Sequence, residues 1–233
     1  IKEIDDQLNI NYEVVSGVSV GNLNGVMVAQ DKIDELVDIW KNISDDKVYK
    51  KRSIFKLAWQ YIKYKIGISN APFAVYDNSP LRELIKQHVS YDDLKIDFLS
   101  GRVSLNTGDY ENELTRKNFV DQVLASSAVP LVWKPTEFNK QQWVDGGVRN
   151  VTPLSDVLNY DPDLIIIVPT QWYSQKRYGS FRGTADKGKV LDIVEVAQRT
   201  LGTIMNETFM NDLDNLIRIN ELVGQAEKKD IVL

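Results

Sequence analysis

The residues in this chain with the clearest chemical content are Gly17-Val18-Ser19-Val20-Gly21, a serine with glycine two positions away on either side. An apolar stretch ending in Val14-Val15 runs into the motif, and a helix-forming stretch runs out of it. A strand that turns sharply into a helix holds the serine at its apex in a strained conformation. Neighbours two residues away then come too close for a Cβ, so glycine is expected at Gly17 and Gly21. The hydroxyl projects at the start of the helix, where the Val20 N–H and the positive helix end can stabilise an oxyanion. The competing explanation is a glycine-rich turn before a close-packed helix, because three fixed positions in five residues also arise by chance.

A serine hydroxyl is a weak nucleophile until a base takes its proton. The chain has a single histidine, His88, in a charged stretch read as a surface helix, and none later to complete the order Ser, acid, His. A Ser-His-Asp triad is therefore disfavoured. The absence of cysteine removes thiol nucleophiles and thiolate metal sites. Lys63 and Lys65 sit among other cations with no sign of burial. Among 33 acids, Asp145 is distinctive: Trp143-Val144 precedes it and Gly146-Gly147 follows. Apolar neighbours raise a carboxylate's proton affinity, and glycines allow close backbone approach. Asp-Gly-Gly is also the composition of an ordinary tight turn, and that alternative stands beside the base.

The elements that would carry these residues read as one α/β domain over residues 1–233. The composition, 43% hydrophobic and 26% charged, is that of a globular chain, and no apolar run is long enough to span a bilayer. A net charge of −5 argues against a general nucleic-acid binder, and no cofactor or metal is expected. Helices are expected at residues 1–10, 31–44, 81–88, 115–126, 190–206 and 208–227, with a serine cap at Ser79 before Pro80. Strands are expected at 12–16 and 98–106. Residues 164–168, Leu-Ile-Ile-Ile-Val, read as a parallel strand buried on both faces. Residues 230–233 read as the opening of another strand. The order favours a three-layer α/β/α sandwich with a mainly parallel central sheet.

One segment departs from the overall charge. Residues 47–65 hold six lysines, one arginine and no acid, a charge of +7, which leaves the rest of a chain totalling −5 to carry −12. On a helical wheel Ile54, Phe55, Ala58 and Ile62 share one face and Arg52, Lys56 and Lys63 another, with Trp59 and Tyr61 at the flanks. Such a helix can lie on an anionic lipid surface; alternatively it packs on the core with a solvated basic face. A loop at 170–189 with Trp172, Tyr173, Lys176, Arg177, Tyr178 and Phe181 could meet a membrane interface in the same way.

Taken together, the elbow Ser16 to Gly21 with Leu23-Asn24-Gly25, the motif Tyr76-Asp77-Asn78-Ser79-Pro80-Leu81-Arg82, the Thr107-Gly108 turn, the block Ala125-Ser126-Ser127-Ala128-Val129-Pro130, and Asp145-Gly146-Gly147 with Asn150 and Pro153 resemble the patatin-like phospholipase family. The resemblance runs in family order from about residue 12 to residue 222. It implies a patatin-like three-layer sandwich and a Ser-Asp dyad without histidine, with Ser19 as nucleophile and Asp145 as general base. The implied substrate is a phospholipid or other acyl lipid, with peripheral membrane contact possible. A cytoplasmic or peripheral-membrane location is expected. The family also carries a glycine-rich loop ahead of the elbow that supplies oxyanion donors. No glycine precedes Gly17 and the strand beginning near Ile231 stops short, so the chain is expected to be incomplete at both ends. The rival readings are a soluble esterase, thioesterase or acyltransferase with the same dyad, and a catalytically silent lipid-binding or assembly module.

Overall fold

The computed structural model describes residues 1–8, 11–68, 74, 76–169, 193–224 and 230–232. Helix α1 (Lys2–Leu8) precedes strand β1 (Val14–Gly17), which turns into α2 (Val20–Ala29). Then come α3 (Ile33–Asn42), α4 (Asp45–Val48), β2 (Lys50–Lys51), α5 (Ile54–Lys65), β3 (Tyr76–Asp77) and α6 (Ser79–His88). The middle of the chain holds β4 (Asp97–Ser100), β5 (Arg102–Ser104), β6 (Tyr110–Glu111), α7 (Phe119–Ala125), β7 (Thr136–Phe138) and β8 (Gln141–Asp145). It closes with α8 (Leu154–Leu158), β9 (Leu164–Ile166), α9 (Ile193–Gly224) and β10 (Asp230–Val232). Strands and helices interleave in an α/β fold. Parallel pairs join β1 to β4 and β9 to β10, and an antiparallel sheet runs β6-β5-β8-β7.

Helix α2 lies close on the β1–β4 pair. A Cβ on Gly25 would stand 3.0 Å from both the Phe98 ring and Val15, so a larger residue there would push the helix away. Val26, Met27, Leu81, Ile85, Phe98 and Val123 form the core beside it. Burial of each such side chain is worth roughly 1.5–3 kcal/mol. Within this apolar layer Asn22 is fully buried, and its Nδ2 donates to the Val123 carbonyl at 2.8 Å, tying α2 to α7.

The stretch 98–106, expected as one strand, breaks at Gly101. The Gly101 N–H donates to the Gly17 carbonyl at 3.0 Å, and a Cβ there would meet the Tyr110 hydroxyl at 2.3 Å and Val18 at 2.6 Å. The chain thereby leaves the parallel pair, where Ser100 lies opposite Gly17, and enters the antiparallel sheet, where Arg102 lies opposite Asp145. Two residues of travel connect the elbow strand to the Asp145 strand. Arg102 anchors the crossing by donating to the carbonyls of Ser100 and Glu113 and to Glu111.

Other expectations also shift. Helix α7 starts at Phe119 and not at 115, because the Gln122 side chain donates to the carbonyls of Thr115 and Lys117 and holds that turn open. The residue capping α6 is Asn78, while the Asp77 carboxylate accepts from the Ser79 N–H. In place of two terminal helices, α9 runs unbroken through 206–208, where the Thr208 hydroxyl bonds back to the Ile204 carbonyl within the helix. Residues 190–192 and 225–227 of those expected helices lie outside the described residues. The run 164–168 is not buried on both faces: Leu164 and Val168 are 40% and 46% exposed. On α5 the described apolar residues Phe55, Trp59 and Ile62 are exposed and not packed on the core. No described helix is long and apolar enough to cross a membrane.

Candidate active site

Ser19 stands between β1 and α2 with φ 57° and ψ −128°. A non-glycine residue in that region is strained by about 1–3 kcal/mol and persists only where its surroundings hold it. Three contacts do so. The Ser19 N–H donates to the Ser126 carbonyl at 2.9 Å, the Ser126 hydroxyl lies 3.3 Å from the same nitrogen, and the Ser127 hydroxyl donates to the Ser19 carbonyl at 3.0 Å. Gly17 is required by geometry, since a Cβ would fall 2.6 Å from the Gly21 carbonyl oxygen and 2.7 Å from the Asn22 nitrogen. Gly21 is not: a Cβ there meets nothing within 4 Å. The expected symmetry of the two glycines fails because the chain folds back over Gly17, while Gly21 already belongs to the outer side of the helix turn. Val20 is the first residue of α2, so its N–H has no carbonyl within the helix to bond.

Asp145 ends β8 with no exposed surface. Its Oδ1 accepts from the Gly147 N–H at 2.8 Å, and its Oδ2 has no direct hydrogen bond. Burial pushes its pKa up to about 6; the Gly147 N–H and the Ser19 side chain pull the other way without cancelling the effect. The Ser19 side chain is thus near enough to favour the ionised form, although it makes no well-formed hydrogen bond to Oδ2. Gly146 and Gly147 fit this carboxyl into place. A Cβ on Gly146 would strike the Gly101 carbonyl oxygen at 2.4 Å, and one on Gly147 would meet the Met205 methyl at 2.4 Å and Asp145 Oδ1 at 3.1 Å. Asp-Gly-Gly is a tight 3-10 turn, as its composition suggests, and the turn is what encloses the carboxyl.

Ser19 opens onto a cavity of about 720 Å³ whose walls include Val14, Val28, Val157, Ile165, Ile167 and Phe209. The apolar run at 164–168 lines this space. Asp145, fully buried, is not part of the cavity lining. His88 belongs elsewhere: its Nδ1 lies 2.5 Å from Glu35 Oε1, between the ends of α6 and α3.

Several further residues support the site in ways the sequence does not disclose. Ser126, Ser127 and Ala128 brace the elbow and the acid together, for the Asp145 N–H donates to the Ala128 carbonyl at 3.1 Å. Beneath the elbow, buried Asp156 accepts from the Tyr110 hydroxyl at 2.8 Å and from the Ser16 hydroxyl at 3.4 Å. Burial, and then the Asp156 carboxylate, raise the Tyr110 pKa well above the phenolic range. The first group lies in the block Ala125 to Pro130, marked in the sequence as a motif of the family resemblance but with no role attached, and Asp156 carries no signal.

Of the residues considered for membrane contact, Arg52 precedes α5 and Lys63 lies on it, with Nζ 5.7 Å from the Trp59 ring centroid. Lys56 is on the same helix, but its side chain is outside the described residues, as are Trp172, Lys176 and Arg177 with the whole 170–189 loop.

A family model described as patatin-like phospholipase matches residues 1–158, more than half of the chain, a span that includes both Ser19 and Asp145. A search among curated proteins finds no match.

Proposed function

The chain belongs to the patatin-like phospholipase family, and from that premise we propose that it is a lipid acyl hydrolase in which Ser19 and Asp145 form a catalytic dyad. Asp145 takes the proton of the Ser19 hydroxyl as Oγ attacks the carbonyl carbon of an ester. The tetrahedral oxyanion forms beside the Val20 N–H at the positive end of α2. As the intermediate collapses, the bond to the alcohol oxygen breaks and Asp145 returns its proton to that oxygen. The acyl group is left on Ser19. Water, deprotonated by Asp145, then attacks the acyl-enzyme, and the proton passes back to Oγ as the fatty acid leaves.

The observation that carries this reading is the state of Asp145. A free aspartate, with a pKa near 3.9, is a poor base for an alcohol. Buried, with a pKa of about 6 and an Oδ2 that accepts no direct hydrogen bond, it stays ionised at neutral pH and binds a proton more readily. The apolar walls of the cavity in front of Ser19 suit an acyl chain better than a polar substrate.

Labelling with a fluorophosphonate probe, read by intact mass, tests the proposal. One adduct on the wild-type chain, absent in Ser19→Ala, is the expected result. A folded wild-type protein that takes up no probe, or a Ser19→Ala variant that still does, would sink it.

A further inference from the structure

We propose that the exposed face of α5 is a docking surface that seats the protein on an anionic phospholipid bilayer. The choice of a lipid among anionic surfaces rests on the lipid-hydrolase reading above, while the surface itself follows from the exposure and charge of this helix.

Phe55, Ala58, Trp59, Ile62 and Ile66 recur at helical spacing and form one stripe along the helix and its last turn. The stripe is not packed against the protein. Phe55 is 87%, Trp59 59% and Ile66 61% exposed, and α5 has no substantial packing against another described element. The helix has a defined end nonetheless: Gly67 takes a left-handed φ of 72°, and the Ile68 N–H bonds the Lys63 carbonyl. An ordered helix with an unburied apolar stripe marks an interaction site.

The charges beside the stripe select the occupant. Lys50, Lys51, Lys63 and Lys65 form no salt bridge among the described residues. The Lys63 and Lys65 ammonium groups stand 5.7 Å and 5.8 Å from the ring centroids of Trp59 and Tyr61. Aromatic rings inserted at the headgroup level, with lysines reaching up to phosphates, is the arrangement of an interfacial helix. A second copy of the same face is a poor partner, because it would set one +7 segment against another. An anionic bilayer repels the −12 to which the rest of the chain sums and attracts this +7 segment, so α5 orients the approach.

The test is vesicle sedimentation with the Ser19→Ala protein, which leaves the lipid intact. Vesicles of phosphatidylcholine with phosphatidylserine are compared with phosphatidylcholine alone. The expected result is binding that needs phosphatidylserine and weakens with salt. It should fall about 30-fold in Lys63→Gln/Lys65→Gln and at least about tenfold in Phe55→Ser/Trp59→Ser. In the chain with Ser19 intact, the same substitutions leave hydrolysis of a soluble short-chain ester unchanged. Equal binding to both vesicles, binding indifferent to all four substitutions, or a concentration-dependent dimer abolished by Phe55→Ser would overturn the proposal. Soluble-ester hydrolysis without vesicle binding overturns the docking surface alone and leaves the dyad standing.

Discussion

The Asp145 N–H donates to the Ala128 carbonyl at 3.1 Å, two residues beyond the Ser126 carbonyl that accepts from Ser19 at 2.9 Å. One short segment thus sets the positions of both the strained serine and the buried acid. Ser127 between them adds its hydroxyl to the Ser19 carbonyl.

Ser127→Ala removes that contact without touching the reacting atoms. A lost hydrogen bond of about 1 kcal/mol, spent on holding the elbow, predicts a fall of about fivefold in kcat with KM nearly unchanged. Ser127→Thr, which keeps the hydroxyl, restores most of it. Steady-state kinetics on a soluble ester read the difference; an effect confined to thermal stability would mean that the brace does not position Ser19.

The two glycines of the elbow should respond oppositely. Gly17→Ala drives a Cβ into backbone atoms of residues 21 and 22, and overpacking of this kind costs about 1–3 kcal/mol and displaces Ser19. Gly21→Ala meets open space and replaces a helical glycine, which stabilises by up to about 1 kcal/mol. Denaturant unfolding of the two variants would show destabilisation in one and not in the other.

Asp145 also links activity and stability to pH in opposite senses. In the proposed dyad the ionised form of Asp145 is the base, so kcat/KM should rise as pH increases through about 6 and level off above it. For stability, a folded-state pKa raised above the unfolded value near 3.9 contributes fully below the unfolded value and is lost as pH rises through the folded value. Wild-type protein therefore loses up to about 3 kcal/mol between pH 4 and pH 8 relative to Asp145→Asn. Urea unfolding at the two pH values should show the variant gaining on the wild type; a constant gap would contradict the raised pKa.

The elbow was legible because its geometry needs a residue type at a fixed spacing, and Gly17 is that residue. Asp145 was legible through its glycines, although composition alone did not separate a turn from a turn that buries a carboxyl. What stayed hidden depends on partners far along the chain. The break at Gly101 follows from Val18 and Tyr110, and the support under Ser16 from Asp156 across 140 residues. Apolar runs misled in a particular way: hydropathy cannot tell a strand buried between helices from one that lines a cavity, as 164–168 does. Nor does an apolar stripe at helical spacing reveal whether anything covers it, and on α5 nothing among the described residues does so fully.

His88 bears on the same question by exclusion. Its partner is Glu35, a partly exposed pair of the kind worth about 0–1 kcal/mol. His88→Gln should therefore leave kcat/KM within about twofold of wild type and shift the melting temperature only slightly. A soluble-ester assay with thermal unfolding checks both.

The most direct test of the proposed dyad is the rate at which Ser19 is acylated, followed by rapid quench and intact mass in wild type, Asp145→Asn and His88→Gln. General-base catalysis contributes about 10²–10⁴-fold, so Asp145→Asn should acylate slower by that factor while His88→Gln matches wild type. Acylation in Asp145→Asn within a few-fold of wild type, or its loss in His88→Gln, would contradict the assignment of Asp145 as the base.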